Sequence, residues 1–141
     1  MTNITSSGST SASSTFSSQF PVSNATDGDV TTSWFSIGDK EGNDSVFTWA
    51  STKGPVYIGA LQIVSNAQNA TASIRSGYGF SSVRIDVLEG GKVVWTGSGA
   101  RPGDVDVAVE PKVRGDTVRL TLLHHENPAC GGFAELRIMG A

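Results

Sequence analysis

The sequence has few cysteines, few charged residues and no long apolar run, and each shortage argues against a class of protein. Cys130 is the single cysteine among 141 residues, so no internal disulfide can form. Charged residues make up 16% of the chain and the formal net charge is −3, whereas a nucleic-acid-binding surface needs clustered basic side chains. No window approaches the roughly 18 apolar residues of a membrane-spanning helix. We therefore expect no nucleic-acid partner, and the composition also argues against a membrane as the partner of this chain.

The motifs of the common catalytic sites are also missing. The chain contains no GxSxG, no phosphate-binding P-loop and no GxGxxG that opens a helix. No two carboxylates stand out as the facing pair of a glycoside hydrolase. Zinc is a possible interpretation of His124, His125, Glu126 and Cys130. However, adjacent strand residues point to opposite faces, and no CxxC or HExxH spacing exists. The sequence favours a binding module over an enzyme.

What the sequence does have is a series of short apolar runs with an alternating, period-two pattern. Gly and Pro fall between the runs, and Glu89-Gly90-Gly91 predicts a hairpin over 83–96. The three tryptophans are expected in the core. Such runs predict an all-β protein, an antiparallel sandwich or barrel. The predicted strands lie within 45–49, 55–64, 83–88, 92–97, 104–109, 117–125 and 133–139.

The stretch 24–34, NATDGDVTTSW, combines two acidic side chains, a glycine and several hydroxyl groups. It does not fit an EF-hand loop, because Thr31 stands where a third ligand is expected and no glutamate follows at the required place. An Asx-rich turn is the simplest interpretation. The same oxygens would suit a hard cation if another carboxylate came from elsewhere in the chain. From these residues alone, both interpretations stay open.

The loop 73–80, SIRSGYGF, carries Arg75 and Tyr78 just before the predicted hairpin. A guanidinium makes paired hydrogen bonds, and an aromatic face accepts the C–H side of a sugar ring. The loop is therefore either a polar ligand site or a solvated connector.

Taken together, these features resemble the discoidin, or coagulation factor V/VIII type C, family. This family belongs to the galactose-binding-like superfamily, which includes many bacterial carbohydrate-binding modules. The resemblance rests on order and spacing over nearly the whole chain: Asp27-Gly28, then Thr32 and Trp34, and finally Ala134-Glu135 in the last strand. It implies an antiparallel β-sandwich of the jelly-roll type with about eight strands. It also implies that the serine-rich opening, 4–16, carries the first strand rather than forming a linker.

The resemblance supplies the missing carboxylate for the acidic turn. Sugar-binding members of the family hold a structural calcium near the chain ends, and the matching residues here come from both ends of the sequence. The implied ligands are carboxylates of Asp27 and Glu135, the hydroxyl and carbonyl of Thr32, and backbone carbonyls of Asn24, Asp29 and Ala134. Such an oxygen shell suits Ca²⁺, and its binding would stabilise the fold by linkage.

The resemblance also implies a sugar site on loops at one end of the sandwich. The expected sugar-binding residues are Arg75, Tyr78, His124, His125, Glu126 and Asn127, with Tyr78 as the stacking ring. Neutral sugars offer little apolar area, so affinity must come from ring stacking and convergent hydrogen bonds. We expect weak binding at each site, with avidity if the module is repeated in a larger protein.

The function implied for residues 1–141 is that of a single, non-catalytic carbohydrate-binding module. It would recognise terminal galactose-like or amino-sugar residues of a glycan or polysaccharide, as an accessory part of a larger secreted or cell-surface protein. Two alternatives stay open: a protein–protein or adhesion domain with a degenerate sugar site, and a membrane-surface-binding discoidin domain. The membrane alternative needs apolar loop tips and basic residues, for which 36–44 and 124–129 are poor candidates.

Overall fold

β-Strands make up the greater part of the chain. The computed structural model describes residues 1–38, 45–100 and 103–140, and within these ranges the chain forms eleven strands. Most of the loop 36–44, considered above for membrane binding, lies outside the described residues. The strands are β1 (Thr2–Asn3), β2 (Gly8–Ala12), β3 (Trp34–Ile37), β4 (Ser45–Ser51), β5 (Val56–Val64), β6 (Phe80–Glu89), β7 (Lys92–Ala100), β8 (Val105–Gly115), β9 (Thr117–His125), β10 (Cys130–Phe133) and β11 (Glu135–Gly140).

The strands form two larger sheets and one small one. The four-stranded sheet has the order β1-β11-β5-β8, the five-stranded sheet has the order β2-β4-β9-β6-β7, and β10 pairs with β3. Every one of these pairs is antiparallel. Buried side chains of both larger sheets belong to one core cluster. The predicted antiparallel β-sandwich of the jelly-roll type is therefore confirmed.

Alternating apolar side chains fill the space between the two sheets. Trp34, Phe47 and Phe133 are fully buried and form an aromatic cluster with ring centroids 5.3 to 5.4 Å apart. Full burial of each large apolar side chain contributes about 1.5–3 kcal/mol to the free energy of unfolding. Trp49 is also fully buried, and Trp95 packs against the core while partly buried. Two of the three tryptophans thus lie in the core as predicted, and Trp95 lies at its edge.

The predicted strands are present, and the run 117–125 coincides with β9. The expected hairpin is formed by β6 and β7, and its turn places Gly90 and Gly91 at φ of 59° and 82°, where side chains are disfavoured. The serine-rich opening is not a linker, because it contains β2, which pairs with β4.

Three short strands, β1, β3 and β10, were not predicted. The sequence of β10 is Cys-Gly-Gly-Phe, and its glycines are typical of a turn. Here they allow close backbone approach instead. A Cβ on Gly132 would collide with the carbonyl oxygen of Trp34, and one on Gly131 would lie 2.8 Å from the carbonyl oxygen of Tyr78. β10 therefore runs directly beneath the loop that carries the predicted sugar-binding ring.

Helices are short in the described residues and consist of single 3₁₀ turns. None of them is long and apolar enough to cross a membrane. They lie at Thr5–Ser7, Val22–Thr26, Asn66–Gln68 and Ala72–Ile74.

Candidate functional site

The acidic turn that follows the 3₁₀ helix Val22–Thr26 is closed by its own side chains. Asp27 Oδ1 accepts a hydrogen bond from the Asp29 backbone nitrogen at 2.9 Å, and Asp27 Oδ2 accepts one from the Thr32 hydroxyl at 2.6 Å. The hydroxyl and backbone nitrogen of Thr31 donate to Asp29 Oδ1, and these two bonds hold the pKa of Asp29 below its ordinary value. Locally, the segment is the Asx-rich turn that its composition indicates.

Glu135 brings a second carboxylate to this turn from the far end of the sequence. Its Oε2 accepts a hydrogen bond from the Gly28 backbone nitrogen at 2.9 Å, across 107 positions of sequence. The residue is only 5% exposed. Its other oxygen, Oε1, is buried without a hydrogen-bond partner among the described residues. Buried polar atoms are normally satisfied by a protein group, water or an ion, and the neighbouring group that acts on this carboxyl is the Asp27 side chain.

The pKa of Glu135 is raised to about 7, mainly by burial and further by the charge of Asp27 and a side-chain hydrogen bond with Asp27. The hydrogen bond from Gly28 and the charge of Arg137 act in the opposite direction. Two carboxylates held together with little solvent disfavour the charged form of one of them. A cation placed between them would reverse that effect, because it favours both charged forms.

The other predicted calcium ligands belong to the two segments that meet here. The Asn24 side-chain amide donates to the carbonyl oxygen of Ser33 at 3.0 Å. The implied ligand atom of this residue is its backbone carbonyl oxygen. Ala134 is fully buried at the junction of β10 and β11. No group of three or more His, Cys, Asp or Glu side chains is arranged for a metal within the described ranges. A site here would therefore depend on two carboxylates together with hydroxyl and carbonyl oxygens, a set that Ca²⁺ accepts.

A cavity of about 150 Å³ lies between the loop 75–80, the end of β5 with the turn that follows it, and the end of β10. Three of the six predicted sugar-binding residues line it, namely Arg75, Tyr78 and Glu126. Ile63, Phe80 and Phe133 supply apolar surface, and Ser65 and Asn66 supply polar groups.

Tyr78 is half-buried, and one face of its ring is already covered. The ring stacks on Phe35 with centroids 5.7 Å apart and planes 8° apart. Phe35 stacks in turn on Phe20 at 4.4 Å. This column fixes the orientation of the tyrosine and leaves a single face for a ligand.

The Arg75 side chain is exposed, and only one of its three nitrogen atoms makes a hydrogen bond with the described residues. Its Nε donates to the carbonyl oxygen of Asn69 at 2.6 Å. Its two terminal nitrogens have no hydrogen-bond partner among the described residues, and they carry the donors that suit paired hydroxyl or carboxylate oxygens.

Glu126 and Asn66 join the loops around the cavity. Glu126 Oε1 accepts from the Gly79 backbone nitrogen at 3.0 Å, and the Glu126 nitrogen donates to the Gly79 carbonyl at 3.0 Å. Asn66 is 4% exposed and donates to the carbonyl oxygens of Tyr78 and Gly132, both at 3.2 Å. The sequence analysis missed Asn66. Its signal was an amide placed directly after the long apolar run of β5.

The three remaining predicted sugar-binding residues do not line the cavity. His125 is 8% exposed, and its Nε2 lies 3.1 Å and 3.2 Å from the hydroxyls of Ser36 and Ser45 in the interior. His124 has a φ of 57°, which breaks the alternation of β9 after Leu122, so His124 is exposed and His125 rather than His124 enters the interior. Asn127 accepts from the backbone nitrogen two residues on, at 2.9 Å, and so closes its own turn.

The fold is that of the F5/8 type C, or discoidin, domains and of the family 32 carbohydrate-binding modules. The chain resembles the family 32 module of C. perfringens NanJ, solved in complex with galactose, at 18% identity, a TM-score of 0.78 and 97% coverage of both chains. It resembles an F5/8 type C domain from Bacteroides fragilis at 19% identity and a TM-score of 0.73, covering 94% of this chain and 91% of that one.

A third similar structure is chitosan-binding module 1 of a chitosanase/glucanase from Paenibacillus sp. IK-5. It is 19% identical, with a TM-score of 0.76, and the match covers 99% of this chain and 100% of that one. No protein-family model and no curated protein sequence matches the chain. At these identities, the likeness establishes the fold.

Proposed function

We propose that this chain is a non-catalytic carbohydrate-binding module that holds a sugar residue in the cavity beside Tyr78. The observation that carries the proposal is the convergence of three kinds of group on one cavity of about 150 Å³. These are a guanidinium with available donors, an aromatic ring with one open face, and a carboxylate. Sugar recognition needs this combination of a stacking surface and a few fixed polar groups. The galactose- and chitosan-binding modules that share the fold support the proposal.

The roles of the three side chains follow from their surroundings. Arg75 donates to ring or hydroxyl oxygens, because its Nε is occupied by Asn69 and its terminal nitrogens are not. Tyr78 stacks against the C–H face of the sugar. Glu126 Oε1 is engaged by Gly79, so its second oxygen accepts from a sugar hydroxyl or from the ammonium of an amino sugar. Galactose-like and amino sugars are the classes we propose.

Titration calorimetry with four sugars tests this function: galactose, lactose, glucosamine and glucosaminyl-β-1,4-N-acetylglucosamine. We expect at least one of them to bind, and Arg75→Ala to weaken that binding by about 10-fold or more, because hydrogen bonds from charged groups contribute about 1.5–3 kcal/mol. Arg114→Ala is the matched control, since Arg114 is exposed and pairs with Glu89 away from the cavity. Unchanged binding in Arg75→Ala, or no binding of any of the four sugars, would overturn the proposal.

We also propose a structural calcium ion at the acidic turn. The unsatisfied Glu135 Oε1 and the neighbouring Asp27 carboxylate support it, together with the Thr32 hydroxyl. Backbone carbonyls of Asn24, Asp29 and Ala134 complete the proposed shell. When bound, the ion supplies only charge compensation and a tie between distant segments.

The cellular setting follows from the proposed ligand. A module that binds terminal sugars of glycans or polysaccharides acts where these polymers are displayed. We therefore infer that the chain works as an accessory part of a secreted or cell-surface protein, with avidity arising from neighbouring modules.

Incubation with nitrophenyl galactoside or glucosaminide should release no nitrophenol. Turnover that disappears in Glu126→Gln would contradict the non-catalytic assignment.

A further inference from the structure

A second depression, of about 300 Å³, lies next to the acidic turn, and we call it the groove. The segment that carries Arg75 contributes to both depressions: Asn69 and Thr71 line the groove, whereas Arg75 lines the cavity. Gln19, Phe20, Asn24 and Thr32 form much of the remaining wall of the groove. None of these groove residues belongs to the predicted sugar site.

The groove has a distinct chemistry, because every side chain that lines it is uncharged. Amides and hydroxyls provide hydrogen-bonding groups, and Phe20 provides apolar surface fixed by its stacking on Phe35. An ionic ligand would find no countercharge in this lining, whereas a neutral molecule rich in hydroxyl groups would find donors, acceptors and an aromatic surface.

Two of the polar groups that line the groove are available to hydrogen-bond a ligand. The Gln19 side-chain amide and the Thr71 hydroxyl make no hydrogen bond among the described residues. Both residues are exposed, so their donors and acceptors face water until a ligand replaces it.

Buried side chains form the floor of the groove, and hydrogen bonds connect them to the cavity. Ser33 and Asn69 are 1% and 4% exposed, and the Asn69 amide donates to the Ser33 hydroxyl at 3.0 Å. The Ser33 hydroxyl donates at 2.7 Å to Asn66 Oδ1, and Asn66 in turn holds the carbonyl oxygen of Tyr78. Buried, mutually satisfied polar groups of this kind form a rigid network. One network therefore supports both depressions.

We propose that the groove is a second sugar subsite, which binds a neutral residue of an oligosaccharide whose terminal residue occupies the cavity. The proposal rests on the proposed function, since it assigns the terminal sugar to the cavity. Arg75 marks the border, because its Nε donates to the carbonyl oxygen of Asn69, a residue of the groove wall. The module thus recognises a short glycan segment rather than an isolated sugar.

The test compares each monosaccharide with a longer counterpart whose second residue is neutral: galactose with lactose, and glucosamine with glucosaminyl-β-1,4-N-acetylglucosamine. Calorimetry should show at least one longer sugar binding several-fold more tightly than its monosaccharide. The double variant Gln19→Ala/Thr71→Val should remove that advantage and weaken the longer sugar by about 3- to 10-fold, because each lost hydrogen bond contributes about 0.5–1.5 kcal/mol. Thr121→Val, a partly exposed threonine within β9, is the control.

The outcomes separate the two proposals. If every longer sugar binds only as tightly as its monosaccharide, while Arg75→Ala still weakens binding by about 10-fold or more, the subsite is wrong and the proposed function stands. If the longer sugar binds more tightly but the double variant keeps the full advantage, the subsite is again wrong. If none of the four sugars binds, both proposals fall. If the subsite proposal is right, the backbone amide NMR signals of Thr71 and Asn69 shift with the longer sugar and remain in place with the monosaccharide.

Discussion

At the scale of single residues, Tyr78 shows how neighbours determine what a side chain contributes. Its ring is one end of the column formed with Phe35 and Phe20, so little side-chain freedom remains to be lost on binding. The useful part of the residue is therefore the open aromatic face, and the phenol hydroxyl makes no hydrogen bond among the described residues. Substitutions can therefore test ring stacking and hydrogen bonding by Tyr78 separately.

We expect Tyr78→Phe to bind sugar within about threefold of the wild type, because the stacking face survives. Tyr78→Ala should weaken binding by about 10-fold, since both aromatic contact and buried area are lost. Calorimetry with the tightest of the four sugars measures both effects. Tyr57→Ala, which removes an exposed tyrosine from β5, should change nothing. Wild-type affinity in Tyr78→Ala would show that the ring does not stack on the ligand.

Asp86 gives a pH prediction at the same scale. Burial of this carboxyl, which is 1% exposed, acts to raise its pKa. Hydrogen bonds from Thr96 and Arg119 and the charge of Arg84 outweigh that effect and hold the pKa below 3.8. A lowered folded-state pKa gives stability that is present above pH 3.8 and is lost as the pH falls through the folded-state pKa.

Asp86→Asn should therefore lower the free energy of unfolding at pH 7 by about 1.5–3 kcal/mol, the usual range for hydrogen bonds to a charged group. Urea unfolding at pH 7 and pH 2 measures the difference, which should shrink at pH 2 because the stabilisation by this carboxylate is progressively lost below pH 3.8. Asp106→Asn, at an exposed position of β8, serves as the control. An equal difference at both pH values would rule out this account of Asp86.

At the scale of elements, β10 connects the core to the site. It pairs with β3 through Gly132 and Phe35, and its residues Gly132 and Phe133 line the cavity. The chain must pass so close to β3 at this point that no side chain fits at Gly132. The strand therefore determines both the local packing and the depth of the cavity.

Gly132→Ala should destabilise the fold by roughly 1–3 kcal/mol, as expected for overpacking against the rigid backbone of Trp34. Sugar binding should weaken with it, because the loop around Tyr78 hydrogen-bonds to this strand. Gly97→Ala is the matched control: the nearest atoms there belong to the Trp95 side chain, which can move. Thermal melting compares the two variants, and equal losses of stability would argue against a special role for β10.

Elements with one buried face were predictable from the sequence, and elements defined by backbone contact were not. The strand β9 alternates because every second side chain enters the core, so its bounds follow from the pattern. In contrast, β10 carries two glycines whose role depends on a distant strand. The candidate site divides in the same way. Arg75 and Tyr78 carry local signals in one loop, but the burial of His125 depends on how the end of β9 packs against Ser36 and Ser45.

At the scale of the whole molecule, the last strand joins segments that are far apart in sequence. β11 pairs with β1, and the Ile138 nitrogen donates to the Thr5 hydroxyl at 2.8 Å. At the start of β11, Glu135 accepts from Gly28. Contacts over more than a hundred residues cost chain entropy when they form. A cation that binds only when Asp27 and Glu135 are together would offset part of that cost by stabilising the folded state.

The expected result is a melting temperature that is higher in calcium than in excess EDTA. At a calcium concentration of 100 times Kd, linkage contributes about 2.7 kcal/mol, which corresponds to roughly 5–15 °C for a chain of this size. Glu135→Gln keeps the shape of the side chain but removes its charge, so its melting temperature should respond little to calcium. Differential scanning calorimetry of both proteins in calcium, magnesium and EDTA measures these responses.

Glu110→Gln separates the loss of this particular carboxylate from the loss of any negative charge, because Glu110 is an exposed residue of β8. It should keep the full calcium response of the wild type. Magnesium should stabilise less than calcium, since a shell of carboxylate, hydroxyl and carbonyl oxygens from two segments far apart in sequence suits the larger and more adaptable ion. Identical melting of the wild type in calcium and in EDTA would show that Asp27 and Glu135 meet without a metal, and that the unsatisfied Oε1 of Glu135 is then satisfied by a proton or by water.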